Sequence, residues 1–269
     1  MVKWLFMGCC FVSCFLRAQD SLAWQPLWAL DISQNAAWQA DPFGNLFLSE
    51  KDQLRKYDSL GQQRAVQSSK FLGSISRVDP SNPMKTLLFS EQQQIVTYVD
   101  NTLAQQQTNI ELGDFGLSYV TLVATSSQPD KFWVYDQENS KIVLLSANSQ
   151  QRQRIENISG LLGAHDVIQL FEQDGFLYLI DRKKGIFQFD TYGTLTFHWE
   201  KTALLWVAIE GEYAYLLKEN RLEVMNLKTQ DVTVIATPLA DALKFQKIQN
   251  TFYFSTKDRL QKFNLRLFR

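Results

Sequence analysis

The sequence predicts an all-β protein, a six-bladed β-propeller whose ring is closed by an N-terminal strand added to the last blade. Three observations lead to this fold class. A pair of strand-like segments recurs six times, the copies lie about forty residues apart, and one more strand-like segment precedes the first copy. A period near forty, in strand pairs joined by polar turns, is typical of four-stranded propeller blades.

Each copy consists of an apolar segment, a short polar turn and a second alternating segment. The first copy covers residues 45–49 and 54–58, and the sixth covers residues 252–255 and 260–264. Successive copies are 41, 46, 45, 36 and 38 residues apart, measured between the equivalent positions Tyr57, Tyr98, Leu144, Phe189, Met225 and Phe263. A helical solenoid would instead need an apolar period of about 3.6 residues over roughly ten or more positions.

Two further strand candidates flank each pair. An inner strand precedes it, and the six candidates are residues 37–40, 75–78, 119–123, 167–171, 205–209 and 243–246. A polar outer strand follows it, as at residues 65–67, 195–199 and 232–235. Pro42 and Gly44 in the first connecting segment suit a tight turn. Each copy therefore predicts one four-stranded blade.

The two ends of the chain complete the count. The sixth copy stops at Arg269, too early for an outer strand, whereas residues 27–32 before the first blade have strand character. We expect this segment to supply the missing strand, because closing the ring removes a free sheet edge. Residues 19–269 are thus predicted to form a single propeller domain without an internal linker.

Residues 1–18 are predicted to be a signal peptide. Lys3 is followed by an apolar run of thirteen residues, 4–16, and the small Ala18 precedes a cleavage point. The run is too short to span a bilayer comfortably, although an uncleaved anchor is the alternative. We therefore expect an exported protein that is periplasmic or associated with the outer membrane.

All three cysteines, Cys9, Cys10 and Cys14, lie inside this segment. Cleavage would leave no thiol, which suits an oxidising compartment and excludes a disulfide, a cysteine zinc site and a cysteine nucleophile. Residues 11–14 loosely resemble a bacterial lipobox with Cys14 as the lipidated residue, although Phe11 fits that motif poorly. A lipoprotein is the less favoured alternative. Residues 17–19 resemble the end of signal peptides from Bacteroidota.

The first blade, from residues 41–49 through Tyr57 and Asp58, resembles the repeat of NHL-type and TolB-like six-bladed propellers. The likeness is clearest in blades one, four and six. It implies the propeller fold and a habit of binding ligands or proteins. It implies no specific activity, because propellers serve many unrelated functions.

No catalytic residue, metal ligand or cofactor is predicted. The sequence has neither a Gly-x-Ser-x-Gly elbow nor a phosphate-binding loop. Its two histidines, His165 and His198, do not form a metal-spaced cluster. A net charge of −1 gives no electrostatic reason to expect nucleic acid as a partner.

Acidic residues near the ends of the inner strands suggest the alternative function, a calcium-dependent lactonase-like or lyase-like enzyme acting on a small molecule. They are Asp41, Asp79, Asp166, Glu210 and Asp241. The topology places Asp41, Asp79 and Glu210 at the opposite strand ends from the other two residues. We therefore expect these carboxylates to cap turns and not to bind one metal ion. Carbohydrate binding through Trp38, Trp133, Trp199 and Trp206 is a third reading, but packing in the core is expected for these strand residues.

The loops that lead into the inner strands are apolar, and charged turns neighbour them. The binding residues predicted there are Phe71, Leu72, Phe115, Leu117, Leu161, Leu162, His165, Arg182, Lys183 and Lys184. The apolar ones either seal the gaps between blades or form a docking surface. We expect a non-catalytic protein-interaction module of the cell envelope, such as an accessory of an outer-membrane or secretion complex. Its partner would be a protein, and any membrane attachment would be peripheral, through a lipid anchor or that partner.

Overall fold

The computed structural model describes residues 21–146, 149–163 and 166–268. These residues form six four-stranded antiparallel sheets. The chain starts with β1 (Ser21–Asp31). Blade 1 contains β2 (Ala37–Ala40), β3 (Leu46–Glu50), β4 (Gln53–Tyr57) and β5 (Gln63–Ser68). Blade 2 contains β6 (Arg77–Asp79), β7 (Thr86–Ser90), β8 (Ile95–Val99) and β9 (Ile110–Glu111).

The remaining four blades follow in chain order. Blade 3 contains β10 (Val120–Thr125), β11 (Lys131–Asp136), β12 (Lys141–Ser146) and β13 (Ser149–Ile155), and the short helix α1 (Ile158–Leu162) comes next. Blade 4 contains β14 (Val167–Gln173), β15 (Phe176–Asp181), β16 (Gly185–Phe189) and β17 (Leu195–Trp199). Blade 5 contains β18 (Trp206–Glu210), β19 (Tyr213–Lys218), β20 (Arg221–Asn226) and β21 (Val232–Ala236). Blade 6 contains β22 (Lys244–Ile248), β23 (Thr251–Ser255) and β24 (Arg259–Phe268). Within the described ranges, no helix has the length and apolar character needed to cross a membrane.

The ring closes as predicted, because β1 is the fourth and outermost strand of blade 6. It pairs antiparallel with β24, from Ser21 opposite Phe268 to Asp31 opposite Arg259. The strand begins earlier than the predicted residue 27 because its partner β24 is ten residues long. Its register shifts at Pro26, where the missing backbone N–H cannot donate to the partner strand.

The first strand of each blade lines the centre of the ring. The strands β2, β6, β10, β14, β18 and β22 contact one another in that order, and β22 returns to β2. Every blade is thus held between two neighbours.

The core is divided into six apolar clusters, one between each pair of adjacent blades. Strand β11 shows how one strand serves two clusters. Trp133 and Tyr135 pack toward blade 4, whereas Phe132 and Val134 pack toward blade 2. Since successive side chains of a strand point to opposite faces, a sheet covered on both faces needs a continuous apolar run. This requirement explains the apolar segments of the repeat.

The ring has two faces, defined by the connections between strands. The top face carries the loops that lead into the inner strands and the turns between second and third strands. The bottom face carries the turns between first and second and between third and fourth strands, because antiparallel neighbours reverse direction. The acidic residues divide between the faces as predicted: Asp41, Asp79 and Glu210 end inner strands at the bottom, whereas Asp166 and Asp241 precede inner strands at the top.

Candidate functional site

A cavity of about 480 Å³ occupies the central channel and opens at the bottom face. The inner strands of blades 1, 2, 4, 5 and 6 form its wall. Pro42, Ser81 and Gln249, which follow three of these strands, lie at its mouth. Three lining residues are each the first residue of an inner strand, and they are Arg77, Trp206 and Lys244. They therefore lie deep in the cavity, away from that mouth.

Glutamine side chains hold two of the channel's blade junctions. Gln246 in blade 6 accepts a hydrogen bond from Ala40 N at 2.7 Å and donates one to Ala40 O at 2.8 Å. Gln169 in blade 4 bonds Val207 of blade 5 in the same way, accepting from its N at 2.6 Å and donating to its O at 3.0 Å. Each amide therefore joins two neighbouring inner strands through one donated and one accepted hydrogen bond.

Charged side chains hold three other junctions. Asp79 Oδ2 in blade 2 accepts from Thr125 N of blade 3 at 2.9 Å. Glu172 in blade 4 accepts from Ser127 N of blade 3 at 3.0 Å, and Lys247 in blade 6 is paired with Glu210 of blade 5. These carboxylates therefore join adjacent blades where the channel wall borders the cavity.

Arg77 is a half-buried cation with few partners. Its Nη2 donates one long hydrogen bond to Leu170 O at 3.5 Å, and its Nε is buried and makes no hydrogen bond within the described residues. Burial lowers the pKa of this guanidinium, and the nearby Asp79 carboxylate opposes that effect. The side chain remains charged, since arginine does not deprotonate in proteins.

Lys244 is the second cation of the cavity, and aromatic rings surround its ammonium group. Its Nζ lies 4.3 Å from the Trp38 ring centre and 4.7 Å from that of Trp206, and it donates a hydrogen bond to Trp38 O. Burial lowers the pKa of Lys244 well below its ordinary value, the charge of Arg77 lowers it further, and Asp79 raises it. The cavity therefore destabilises positive charge at this position.

The bottom face carries one turn design four times. In each copy the Oδ1 atom of an aspartate accepts hydrogen bonds from the backbone N–H groups two and four residues later, and the aspartates are Asp41, Asp58, Asp100 and Asp190. The hydrogen bond that the Gln62 N–H donates to Asp58 is the main reason why the pKa of this carboxyl group is lowered. Each carboxylate therefore fixes the backbone of its turn.

The second residue after the aspartate forms the tip of this turn, and in three copies it is large and apolar. Phe43 is 76% exposed, Leu60 is 71% exposed and Tyr192 is 86% exposed. Met84, in another bottom turn, is 60% exposed. The first-to-second and third-to-fourth turns of blade 1 adjoin, since a Cβ placed on Gly44 would lie 3.6 Å from Ser59 Cβ. Phe43 and Leu60 are thus neighbours on one face.

The apolar loops of the top face are mostly packed against the blades. Leu72 and Leu162 are buried, and Phe115 and Leu117 pack against the cluster between blades 2 and 3. These side chains seal the ring, which is the other role that the sequence allowed. Of the predicted apolar residues whose side chains are described, only Leu161 is exposed, at 42%. The Phe71 side chain and His165 lie outside the described residues.

The predicted charged residues of the top face have different partners. Arg182 Nε lies 3.0 Å from Asp166 Oδ2, and its Nη1 donates to Leu204 O at 3.4 Å. Lys183 and Lys184 are exposed, and their backbone N–H groups donate to Asp181. Arg182 thus anchors neighbouring loops, whereas the two lysines face solvent.

The remaining candidates are placed as follows. His198 lies on the outer strand β17, where its ring stacks on Phe187. Of the four tryptophans expected in the core, Trp206 is only partly buried because it borders the cavity, while the others, Trp38, Trp133 and Trp199, are buried. Among the described residues, no group of three or more histidine, cysteine or acidic side chains is arranged to hold a metal ion.

Sequence reasoning missed Arg77 and Lys244. The available signal was a charged residue inside a predicted inner strand, at residues 75–78 and 243–246. A strand with a cation among apolar neighbours needs water or a ligand on one side. Only the folded ring brings these two cations, which belong to blades 2 and 6, into the same cavity.

These features define a six-bladed β-propeller with a polar central cavity. No protein-family model and no curated protein matches the sequence. The structure is similar to a streptogramin B lyase, with 9% identity and a TM-score of 0.62 over 91% of this chain and 98% of that chain.

Two propellers of a different kind are also similar to this structure. One is the Pan2 WD40 domain of Neurospora crassa, with 11% identity and a TM-score of 0.57 over 87% of this chain and 79% of that chain. The other is BBS1N in complex with ARL6DN, with 12% identity and a TM-score of 0.56 over 90% of this chain and 78% of that chain. At such identities the likeness establishes the fold alone.

Proposed function

We propose that this protein is a non-catalytic protein-interaction module of the cell envelope and that its partner docks on the bottom face. One observation carries the proposal. Phe43, Leu60 and Tyr192 occupy the same position of the same aspartate-capped turn, and all three are largely exposed on that face.

The exposed large apolar residues are not spread evenly over the faces. Four lie in bottom turns, and they are Phe43, Leu60, Met84 and Tyr192, while Tyr213 begins β19 at the same face. Three lie on the top face, and they are Tyr119, Leu161 and Leu243, each less than half exposed. A contiguous exposed apolar patch is typical of interaction sites, and Phe43 and Leu60 of blade 1 are neighbours on this face. This distribution favours the bottom face over the top loops that the sequence suggested.

The capped turns suit these side chains to binding. Full burial of a large apolar side chain contributes about 1.5–3 kcal/mol. The aspartate bonds already hold each turn backbone, so docking loses little conformational freedom there. Aromatic residues and methionine are also enriched in protein interfaces. A few of these tips could therefore supply most of the binding energy.

Charged pairs surround the tips on the bottom face. Arg64 pairs with Asp58, and Lys85 pairs with Asp130 at 2.5 Å. A rim of mixed charge around apolar contacts is the usual arrangement of a protein interface. The net charge of −1 supports a protein partner over nucleic acid.

Two further points support a protein partner in the envelope. One similar structure, BBS1N, is bound to ARL6DN, so a propeller of related shape serves as a binding partner there. The assignment to the envelope rests on residues 1–18, whose composition is that of an export signal. An outer-membrane or secretion component is the class of partner that this address suggests.

Matched charge insertions on the two faces test the proposal. The bottom variant is Phe43→Glu with Leu60→Glu, and the control is Leu161→Glu with Leu243→Glu on the top face. Tagged proteins are recovered from native envelopes in mild detergent, and bound proteins are identified. We expect a partner with wild type and the control, and its loss with the bottom variant. Loss with the control alone, or a wild-type protein that is always recovered alone, would overturn the proposal.

A further inference from the structure

We propose that the central channel binds a small organic carboxylate, which Arg77 and Lys244 hold at the deep end of the cavity. This site lies inside the channel, whose mouth opens on the bottom face. The proposal rests on the unused hydrogen-bond donors of the two cations, on their lack of direct carboxylate partners and on the size of the cavity.

Arg77 has donors that the protein leaves unused. A guanidinium carries five N–H donors in a planar fork. Among the described residues, only one long bond of 3.5 Å to Leu170 O uses them, and Nε is buried without a partner. A buried polar group without a hydrogen bond is strongly unfavourable. A carboxylate matches the fork with two parallel hydrogen bonds.

Lys244 offers a second positive group in the same cavity. Its ammonium donates to Trp38 O and lies against the rings of Trp38 and Trp206. An ammonium has three donors, so two remain for a ligand. The indole rings hold the cation in place without neutralising it.

The nearby acidic groups are already engaged. Asp79 accepts from Ser81 N at 3.1 Å, from the Ser81 hydroxyl and from Thr125 N. Glu172 accepts from Ser126, Ser127 and Trp133. Across the described part of the chain, no carboxylate oxygen lies within 4.0 Å of the Arg77 or Lys244 nitrogens.

The third cation of the cavity, Lys247, is paired with Glu210. Arg77 and Lys244 are therefore the two cations of the cavity lining without a direct carboxylate partner. An anionic group placed between them would supply that partner.

Size and wall chemistry indicate what kind of anion fits. A volume of about 480 Å³ lies in the range of small-molecule sites. Phe171, Trp206, Ile209 and Ile248 provide apolar wall. The Gln169 and Gln246 amides each make two hydrogen bonds to the backbone of the next blade. One anionic group with an apolar body therefore satisfies the site better than a polar, fully hydrated ion.

Binding of matched probes tests the proposal. The probes are benzoate and hexanoate, their neutral amides benzamide and hexanamide, and inorganic phosphate, each titrated to about 10 mM while the melting temperature and binding heat are measured. We expect stabilisation by at least one carboxylate and none by its amide. Failure of both carboxylates, or stronger stabilisation by phosphate than by either, would overturn the assignment.

Variants locate the binding. Arg77→Gln and Lys244→Met should each weaken the carboxylate's affinity by about tenfold or more, since each removes a charged hydrogen bond. The controls Arg64→Gln and Lys183→Met lie outside the cavity and should leave affinity unchanged. Melting of the unliganded variants verifies folding. Affinity that survives both cavity variants would contradict a site at these residues.

Discussion

Gln246 of blade 6 holds Ala40 of blade 1 by two hydrogen bonds, accepting from its N–H at 2.7 Å and donating to its carbonyl at 2.8 Å. The two residues are 206 positions apart, at the junction where the ends of the chain meet. Gln169 and Val207 repeat the bond pair between blades 4 and 5, which are joined directly by the chain. Gln246 at the channel and β1 at the outer edge thus both fasten the ring at its closure.

Replacing this amide should destabilise the closed ring. Gln246→Leu leaves the N–H and C=O of Ala40 without partners, so we expect the free energy of unfolding to fall by about 2–4 kcal/mol. Gln169→Leu should lower the free energy of unfolding by a similar amount. Gln67→Leu on the exposed outer strand β5 is the control and should change it by less than about 0.5 kcal/mol. Urea unfolding measures all three, and a Gln246→Leu value near that of Gln67→Leu would contradict the bracing role.

Gly185 is predicted to tolerate no side chain. It begins β16 with φ of 111°, and an added Cβ would overlap the Trp199 carbonyl oxygen and lie 2.6 Å from Lys201 N. Gly185→Ala should therefore lower the free energy of unfolding by about 2–4 kcal/mol. Gly113→Ala is the control, because a Cβ there meets no atom within 4 Å. Equal stability of the two variants would show that the backbone at β16 can move.

Lys244→Met is expected to stabilise the protein, by about 1–3 kcal/mol, because it removes a half-buried charge that has no direct carboxylate partner. A gain of this size corresponds to a rise in melting temperature of about 2–4 °C per kcal/mol. Thermal unfolding at neutral pH measures the change. A lower melting temperature would mean that the ammonium contributes net stability through Trp38 and Trp206.

The same variant tests the lowered pKa of Lys244. At pH values between the lowered pKa of Lys244 and its ordinary pKa of 10.5, the unfolded chain binds a proton that the folded chain does not. The free energy of unfolding therefore rises with pH across this window. At lower pH the folded protein carries the full cost of the charged ammonium. The charged groups that face Lys244 are Arg77 and Asp79, which are the same in both proteins. Lys262, whose pKa burial also lowers, contributes equally to both.

Urea unfolding between about pH 7 and 9.5, below the ordinary range of tyrosine, isolates this effect. We expect a smaller rise of stability with pH in Lys244→Met than in wild type. Identical slopes would show that Lys244 keeps its ordinary pKa in the folded protein.

Much of the fold could be predicted from the sequence, because each blade is covered on both faces. The predicted segment at residues 177–181 became β15 with one added residue, and residues 186–190 match β16 to within one position. The prediction of an inner strand at residues 75–78 was less accurate, because β6 covers only Arg77–Asp79. Ser76 N still donates a hydrogen bond to Phe89 O just outside the strand. Apolar runs thus identify strands, whereas the three-residue strand β6 was harder to delimit.

The candidate surfaces were less predictable. Leu72 and Phe43 are both apolar residues in connecting segments, yet one is buried and the other is exposed. The difference comes from tertiary structure: Leu72 fits the gap between blades 1 and 2, whereas the Asp41 bonds turn Phe43 outward. Arg77 and Lys244 could not be assigned to one cavity without the ring.

Crosslinking from defined positions tests the central functional claim most directly. A photo-crosslinking amino acid replaces Tyr192 or Phe43 on the bottom face, or Leu161 or Leu243 on the top face, in cells that express the full chain. After irradiation, adducts are identified by mass. We predict that the bottom positions form a discrete adduct with one envelope protein and that the top positions do not. Adducts from the top positions alone would contradict docking on the bottom face.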